Sequence, residues 1–312
     1  GTESLYIILK ALGLSKQQKV VHTDSMCFSD SQAIRFAGLQ SHYLDIDMKI
    51  LNPSEASYLE FNDQSSIVLG VHGYGYLQDF SSCNSEYFIE DAALVIPEQN
   101  NNVGSYGIAS FLSFGSGKPF DLGGGSVVAT DDKAFYCELK KVLSGLNRNR
   151  AKGAGDLSKK HTSMYNLNEL KKFNDILSEQ CSEFLTRSSF IKDISDLSYT
   201  RTREKKILAQ QKLTKIINQF SDFELLDPYT DRDFPWRFSF LCKNKSVRSK
   251  MLYEGIREGL PISSWHPALS SYIGGTKNGE NKNSSEIGER IINVDFSISI
   301  QKFEMFLWRF KF

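Results

Sequence analysis

Six short apolar runs, at residues 19–22, 42–46, 67–71, 87–89, 109–114 and 126–130, alternate with helical or turn-rich segments through the first 235 residues. Nothing else in the sequence constrains the fold as much. Runs of this kind, separated by crossover segments, pair side by side as a mostly parallel sheet with helices on both faces. Thr2 is placed to cap a first helix, Glu3 supplies an acid to its first turn, and Leu5, Ile7, Ile8, Ala11 and Leu12 recur with helical spacing up to a stop near Gly13. Residues 29–36 form a second helix that stops at Gly38, and a third runs from Asp131 through Val142.

Beyond residue 146 the pattern changes. Residues 148–160 are basic and contain glycine, as exposed loops do. A helix over 201–220 opens a second part, followed by a strand at 236–241, a helix at 246–258 ending near Gly259, another helix start from Ile287 and an aromatic helix at 301–312. A chain of 312 residues is also longer than one core usually supports. The expected organisation is a large α/β unit over residues 1–200 and a smaller α+β unit, lid-like in character, over 201–312.

Charge narrows the function classes. There are 37 basic and 37 acidic side chains, so the basic surplus of a nucleic-acid binder is missing. No apolar stretch is long enough for a membrane helix, and the N-terminus does not read as a signal peptide. Cys27, Cys83, Cys137, Cys181 and Cys242 are odd in number and never spaced as CxxC, which suggests neither a disulfide framework nor a zinc site, and a reducing, cytoplasmic setting. His22, His42, His72, His161 and His266 have no metal-ligand spacing and read as structural or exposed.

Three places carry candidate chemistry. Gly1-Thr2-Glu3 opens a helix, where free N–H groups and the helix dipole suit a phosphate, although an ordinary cap looks the same. Glu90-Asp91 follows an apolar run and puts a carboxylate at the carboxyl edge of a sheet, where open α/β sheets bind ligands; a surface acid would also fit. Ser113-Phe114-Gly115-Ser116-Gly117-Lys118-Pro119 precedes a Gly-rich turn and another strand. Lys118 there is either a partly desolvated nucleophilic amine or a solvated loop lysine. A nucleotide phosphate loop is excluded, because Leu112 and Pro119 stand where glycine and a hydroxyl residue are required. A nucleophile elbow at Ser113 is excluded by Phe111.

Taken in order, GTESLYIILKALGL, HTDSMCFSDSQAIRFAGLQSHYLDID, VHGYG, FIEDAA and SFLSFGSGKPFDLGGGSVVATDD resemble the DegT/DnrJ/StrS family of pyridoxal-phosphate-dependent sugar aminotransferases. The likeness is continuous to about Leu146 and resumes more weakly at 203–225, at 237–265 and in IGERIINV. It implies a fold-type-I three-layer sandwich with a smaller α+β C-terminal domain, and pyridoxal 5'-phosphate as cofactor. Position by position it implies Lys118 as the amine that bonds to the cofactor and shuttles a proton, and Asp91 as the acid that keeps the pyridine nitrogen protonated. Gly1, Thr2 and Ser113 become phosphate contacts, and Cys27 packs on the ring face.

Three departures accompany the likeness. Leu94 occupies the position where the family has Gln or His against the phenolic oxygen. The chain starts on the Gly-Thr pair that a leader precedes in the family, so the expectation is either that a native segment is absent from this sequence or that the chain is a trimmed variant. The segment 148–166 does not align with the family's Asn-rich stretch that reaches the neighbouring subunit. The implied activity is transfer of an amino group from an amino acid, glutamate, to a nucleotide-linked keto-sugar, in a homodimer. The alternatives are a pyridoxal-phosphate sugar dehydratase, against which the presence of Lys118 argues, and a non-catalytic descendant that binds cofactor or sugar. The basic loop 148–160 is either solvated or in contact with a nucleotide-sugar diphosphate, and Trp265 and His266 belong either to a substrate rim or to the core.

Overall fold

A computed structural model describes residues 1–16, 18–61, 66–98, 101–115, 117–119, 125–146, 182–185, 199–273, 275–277 and 281–309. The basic stretch 148–160, His161 and Cys181 lie outside the described residues. The chain runs through α1 (Thr2–Ala11), β1 (Lys19–Thr23), α2 (Phe28–Phe36), β2 (Gln40–Leu44), α3 (Glu55–Leu59), β3 (Ile67–Val71), β4 (Tyr87–Asp91), β5 (Ala109–Ser113), β6 (Ser126–Ala129), α4 (Lys133–Gly145) and β7 (Ser182–Leu185). It continues through α5 (Tyr199–Ile217), β8 (Phe223–Leu225), β9 (Phe238–Cys242), α6 (Lys245–Arg257), β10 (Ile262–Ser263), β11 (Thr276–Lys277), α7 (Lys282–Arg290), β12 (Ile291–Val294) and α8 (Ile300–Arg309).

Eight strands form one sheet in the order β11-β2-β1-β3-β4-β5-β6-β7, and four form a second in the order β10-β12-β9-β8. In the large sheet only the β5–β6 pair is antiparallel. The sequence reason is visible in β3: Ile67, Val68, Leu69 and Val71 are all buried, so both faces of this strand are covered. One cover combines Leu5, Ile8 and Leu9 of α1 with Ile34 of α2 and Phe135 and Leu139 of α4. The small sheet has its own core, in which Phe238 and Phe240 of β9 meet Ile292 and Val294 of β12, Met251 of α6 and Phe303 and Phe306 of α8. Each such buried side chain contributes about 1.5–3 kcal/mol relative to exposure.

Several boundaries differ from the sequence expectation, for identifiable reasons. Gly1, not Thr2, is the N-cap of α1, and no side chain caps it. β4 continues through Glu90 and Asp91, because their backbones pair with Gly70 and Val71 of β3. The helix expected from Ile287 begins earlier, at Lys282, and yields to a strand at Ile291, because all four residues of β12 are buried and pair with β9. The short elements α3, β8, β10 and β11 carry too few residues for periodicity to reveal them.

Two acids, Asp24 buried and Asp45 half-buried, tie distant segments together. Asp24, just after β1, accepts the Ser270 N–H at 2.7 Å, the Ser270 hydroxyl at 2.6 Å and the Asn281 amide at 2.7 Å. Asp45, just after β2, accepts from the Ser284 N–H at 2.8 Å and the Asn283 N–H at 3.1 Å, and so caps α7 from across the fold. A third tie is steric. Gly75 has φ +91, and a Cβ added there would lie 2.0 Å from the Phe234 carbonyl oxygen. That carbonyl belongs to the segment leading into β9, and the Phe234 N–H donates to the Gly75 carbonyl at 3.0 Å. Gly75→Ala is therefore expected to cost about 3 kcal/mol or more, from left-handed strain plus a backbone collision, read as a fall in the urea midpoint at unchanged slope. An unchanged midpoint would refute the close approach.

Candidate active site

Parallel strands end at a common edge, and β1, β3, β4 and β5 deliver their carboxyl ends to one place. Asp91 ends β4, Ser113 ends β5, Cys27 is the N-cap of α2 after β1, and the His72–Tyr76 turn follows β3. Lys118 lies in the connection from β5 to β6, its own N–H donating to the Gly115 carbonyl at 3.2 Å. The start of α1 closes the ring, with the Gly1 nitrogen 3.4 Å from Ser113 Oγ.

Glycine is what allows this last approach, since a Cβ at residue 1 would lie 3.2 Å from Ser113 Cβ and 3.4 Å from its Oγ. The first turn of α1 therefore presents N–H groups beside a hydroxyl, a setting for a phosphate. Thr2 is the first helical residue, half-buried in that turn.

Asp91 is only 6% exposed. Its Oδ1 accepts the Ala93 N–H at 2.9 Å, and among the described residues no group donates to Oδ2. Burial raises its carboxyl above the ordinary range, against the pull of the Lys118 ammonium and then of the Ala93 hydrogen bond. Lys118 acts on a set of buried groups: Asp91, Asp30, Cys27 and His266 all feel its charge. Cys27 Sγ lies 3.0 Å from Ser29 Oγ, and burial pushes its thiol up. The four described cysteines, Cys27, Cys83, Cys137 and Cys242, are free thiols.

The structure thus brings Gly1, Thr2, Cys27, Asp91, Ser113 and Lys118 to one edge, and it adds residues the sequence reading did not single out. Asp30, one turn along α2 from Cys27, is 7% exposed, and no hydrogen bond to its side chain is made by a described residue. Burial, and then the charge of Asp91, push its carboxyl up to about 7 against the opposing pull of Lys118. An acid in the first turn of the helix that Cys27 caps was the available signal. Glu90 and His72 support the edge from behind. Glu90 accepts from the Gly104 N–H at 2.9 Å and the Tyr106 N–H at 3.1 Å and lies 3.1 Å from His72 Nε2. His72 Nδ1 accepts the Gln78 N–H, which assigns the proton to Nε2.

A wall from the second sheet's segments completes the site. The Trp236 indole donates to the Gly117 carbonyl at 2.9 Å, beside Lys118. The Arg237 guanidinium lies 4.7 Å from the Trp236 ring centroid, and the His266 ring lies parallel to Trp236 within 10°. The buried Tyr74 hydroxyl accepts the His266 N–H at 2.6 Å and donates to the Trp265 carbonyl at 2.8 Å. His266 therefore borders the site, while Trp265 is held through its backbone. Leu94 is buried at 8% exposure. Among the described residues no cluster of three His, Cys, Asp or Glu is built to hold a metal, and no helix is long and apolar enough to cross a membrane.

The donor set fits pyridoxal phosphate. The open Asp91 oxygen matches a protonated ring nitrogen, the α1 start and Ser113 match a phosphate, and Lys118 supplies the amine.

Comparison with known proteins agrees. The family model described as the DegT/DnrJ/EryC1/StrS aminotransferase family matches residues 1–172. GDP-perosamine synthase of Escherichia coli O157:H7 is 26% identical over 145 residues, 44% of this chain and 40% of that protein. The chain matches about two fifths of the length of its curated relatives. Helicobacter pylori PseC, an aminotransferase involved in the biosynthesis of pseudoaminic acid, superposes with a TM-score of 0.69 at 14% identity, covering 99% of this chain and 84% of that one. The Escherichia coli GDP-4-keto-6-deoxy-D-mannose-3-dehydratase with bound hydrated PLP superposes at 0.64 and 16% identity, covering 98% and 85%. The large mostly parallel sheet with its smaller companion is the fold these structures share, and the chain belongs to the DegT/DnrJ/EryC1/StrS aminotransferase family.

Proposed function

We propose that the chain is a pyridoxal 5'-phosphate-dependent aminotransferase that moves an amino group from an amino acid, glutamate, to a nucleotide-linked keto-sugar. It works as a homodimer in the cytoplasm. Residues 1–200 hold the cofactor and residues 201–312 cover it. The observation that carries this reading is the convergence of Lys118, the open oxygen of Asp91 and the Gly1–Ser113 cradle at one sheet edge. The keto-sugar acceptor is supported by the likeness to GDP-perosamine synthase and by the shared fold of PseC.

Bound there, the cofactor supplies an aldehyde for reversible amine exchange and an electron-accepting ring. The chain's own residues do the rest. The first turn of α1 and Ser113 bind the phosphate, and Cys27 packs on a ring face. Asp91 holds a proton on the ring nitrogen, where burial strengthens its attraction for a cation. Lys118 Nζ takes the proton from the donor's α-carbon and returns it elsewhere, so it acts as base and then acid. Tyr74, Trp236 and His266 shield the amine from water.

Asp30 adds a second buried acid to this group, and burial favours its neutral form. An acid whose folded pKa is raised to about 7 binds a proton that the unfolded chain has released above its ordinary value of 3.8. The stability from its neutral form is fully present below that ordinary value and is lost as pH rises through about 7.

Three outcomes are expected. Lys118→Ala abolishes the yellow absorbance of the lysine-bound cofactor and lowers turnover by more than about 10²–10⁴-fold, followed by absorption spectra and by borohydride trapping in the wild type. Retention of both signals would refute its role. Asp91→Asn keeps the cofactor bound but cuts turnover by about 10²-fold or more, since a neutral amide cannot hold the ring proton by charge. Normal turnover there would show that another group holds the ring nitrogen. Without cofactor, Asp30→Asn gains stability relative to wild type between about pH 5 and about pH 8, read from urea melts; a constant difference would mean that Asp30 does not titrate in the fold. In wild-type turnover an amino sugar as product separates this reading from sugar dehydration.

A further inference from the structure

We infer that Lys206 is a positioning residue for the site: from α5 it holds the Pro235 carbonyl and thereby fixes the Trp236 indole against the turn that carries Lys118. The consequence for the amine rests on the aminotransferase reading, whereas the clamp itself rests on the following geometry.

The segment leading into β9 has one edge satisfied by the residues after β3. The Phe234 N–H donates to the Gly75 carbonyl at 3.0 Å, the Trp236 N–H donates to the Tyr74 carbonyl at 3.4 Å, and Asp233 Oδ1 accepts the Leu77 N–H at 2.7 Å. Pro235 is buried between them and has no N–H, so its carbonyl is its one backbone polar group. Lys206 Nζ donates to that carbonyl at 3.0 Å. Two ring faces complete the niche, with Nζ 4.6 Å from the Phe234 centroid and 5.8 Å from that of Phe296, which follows β12. One ammonium thus joins α5, the lead into β9 and the segment after β12. Three residues earlier on α5, Arg203 pairs with Glu98, beyond β4, and donates to the Asp231 carbonyl at 2.8 Å.

The residue type singles Lys206 out. Among the described residues it makes no ion pair, and Asp295 acts on it only at a distance. Burial pushes its ammonium down to about 8, against the pull of Asp295 and with the help of Arg237, so it stays mostly charged at neutral pH. A half-buried cation without a carboxylate is costly, and a methionine of similar length would fill the niche without that cost. A methionine cannot donate to the Pro235 carbonyl.

That donation matters because the Pro235 carbonyl and the Trp236 N–H belong to one planar peptide group. Lys206 bonds its carbonyl, and Tyr74 bonds its N–H. Held on both sides, the group does not swing, and the side chain that follows keeps its direction. This side chain is the Trp236 indole, which donates to the Gly117 carbonyl at 2.9 Å, beside Lys118. Without Lys206 the same peptide hangs on the 3.4 Å bond alone, and its carbonyl draws water toward the amine.

The test uses the full chain and two readouts. In the cofactor-free chain carrying Trp265→Phe and Trp308→Phe, Trp236 is the one tryptophan left of three, and acrylamide quenching of its emission reports how firmly it is held. In the chain loaded with cofactor, bleaching of the yellow absorbance by hydroxylamine reports access to the lysine-bound group. A hydrogen bond from a charged donor shifts a local opening equilibrium by about 10- to 100-fold, so Lys206→Met is expected to raise the hydroxylamine rate by that factor and to increase the quenching. The starting absorbance is kept. Lys206→Arg, which retains the charge, the donors and the ring contacts, stays near wild type. In a Trp236→Phe background Lys206→Met adds nothing further to the hydroxylamine rate. Unchanged quenching in Lys206→Met overturns the clamp, as does an equal rise in Lys206→Arg, which would mean damaged packing and not a lost donor. Increased quenching with an unaltered hydroxylamine rate, or additive effects of the two substitutions on that rate, overturns the action at the amine. If the quenching differs among the variants as expected while the chain takes up no pyridoxal phosphate, the clamp stands and the cofactor reading falls.

Discussion

A carboxylate taken out of water at the end of a buried strand needs a countercharge, and Asp91 imposes that need on everything around it. It sits between β3 and β5, where flanking strands exclude solvent and one backbone N–H supplies part of its hydration shell. Lys118, carried on the next connection, acts on it as a cation. Asp30 cannot share that cation without competing for it, so its carboxyl is driven toward the neutral form. An arrangement with more acid than base and one open carboxylate oxygen is complementary to a ligand that brings its own positive charge. A protonated pyridine ring meets that description.

The neighbouring acid shows the opposite arrangement. Glu90 precedes Asp91 in the same strand and so faces the other side of the sheet. Its oxygens accept two backbone N–H groups from the segment before β5 and face His72, which follows β3. This carboxylate is fully engaged and joins three consecutive parts of the sheet, which keeps the end of β4 in register. Two adjacent acids thus divide their work: one is saturated by the protein and holds the scaffold, and the other is left open toward the cleft.

The second sheet contributes by being tied down at few, well-satisfied points. Asp24 holds the segment at Ser270 and Asn281, and Tyr74 holds the backbone at Trp265 and His266. Trp236 bonds the turn that carries Lys118. Each link is a hydrogen bond between residues more than a hundred positions apart, and together they bring an aromatic and cationic wall over the amine. The close backbone approach at Gly75 makes that wall possible, because any side chain there would push the strand-leading segment away.

Much of this was legible in the order of residues. The strand cores 67–71, 109–113 and 126–129 announce themselves by mostly apolar runs between turn residues, and α1 by the spacing of Leu5, Ile7 and Ile8, since local periodicity is a property of neighbours in the chain. The family pattern pointed to Gly1, Thr2, Cys27, Asp91, Ser113 and Lys118. The parts that were not legible depend on distance in space. Asp30 looked like one more acid in a helix and Arg237 like a strand start, and for His266 the choice between a substrate rim and the core stayed open, because burial and Coulomb interaction follow separation in ångströms and not in residues. Likewise β12 looked like helix until its pairing with β9 buried every side chain. Sequence alone determined which segments could be buried and which motifs they carry. The tertiary structure decided which charges face one another without water between them, and that is what gives the site its chemistry.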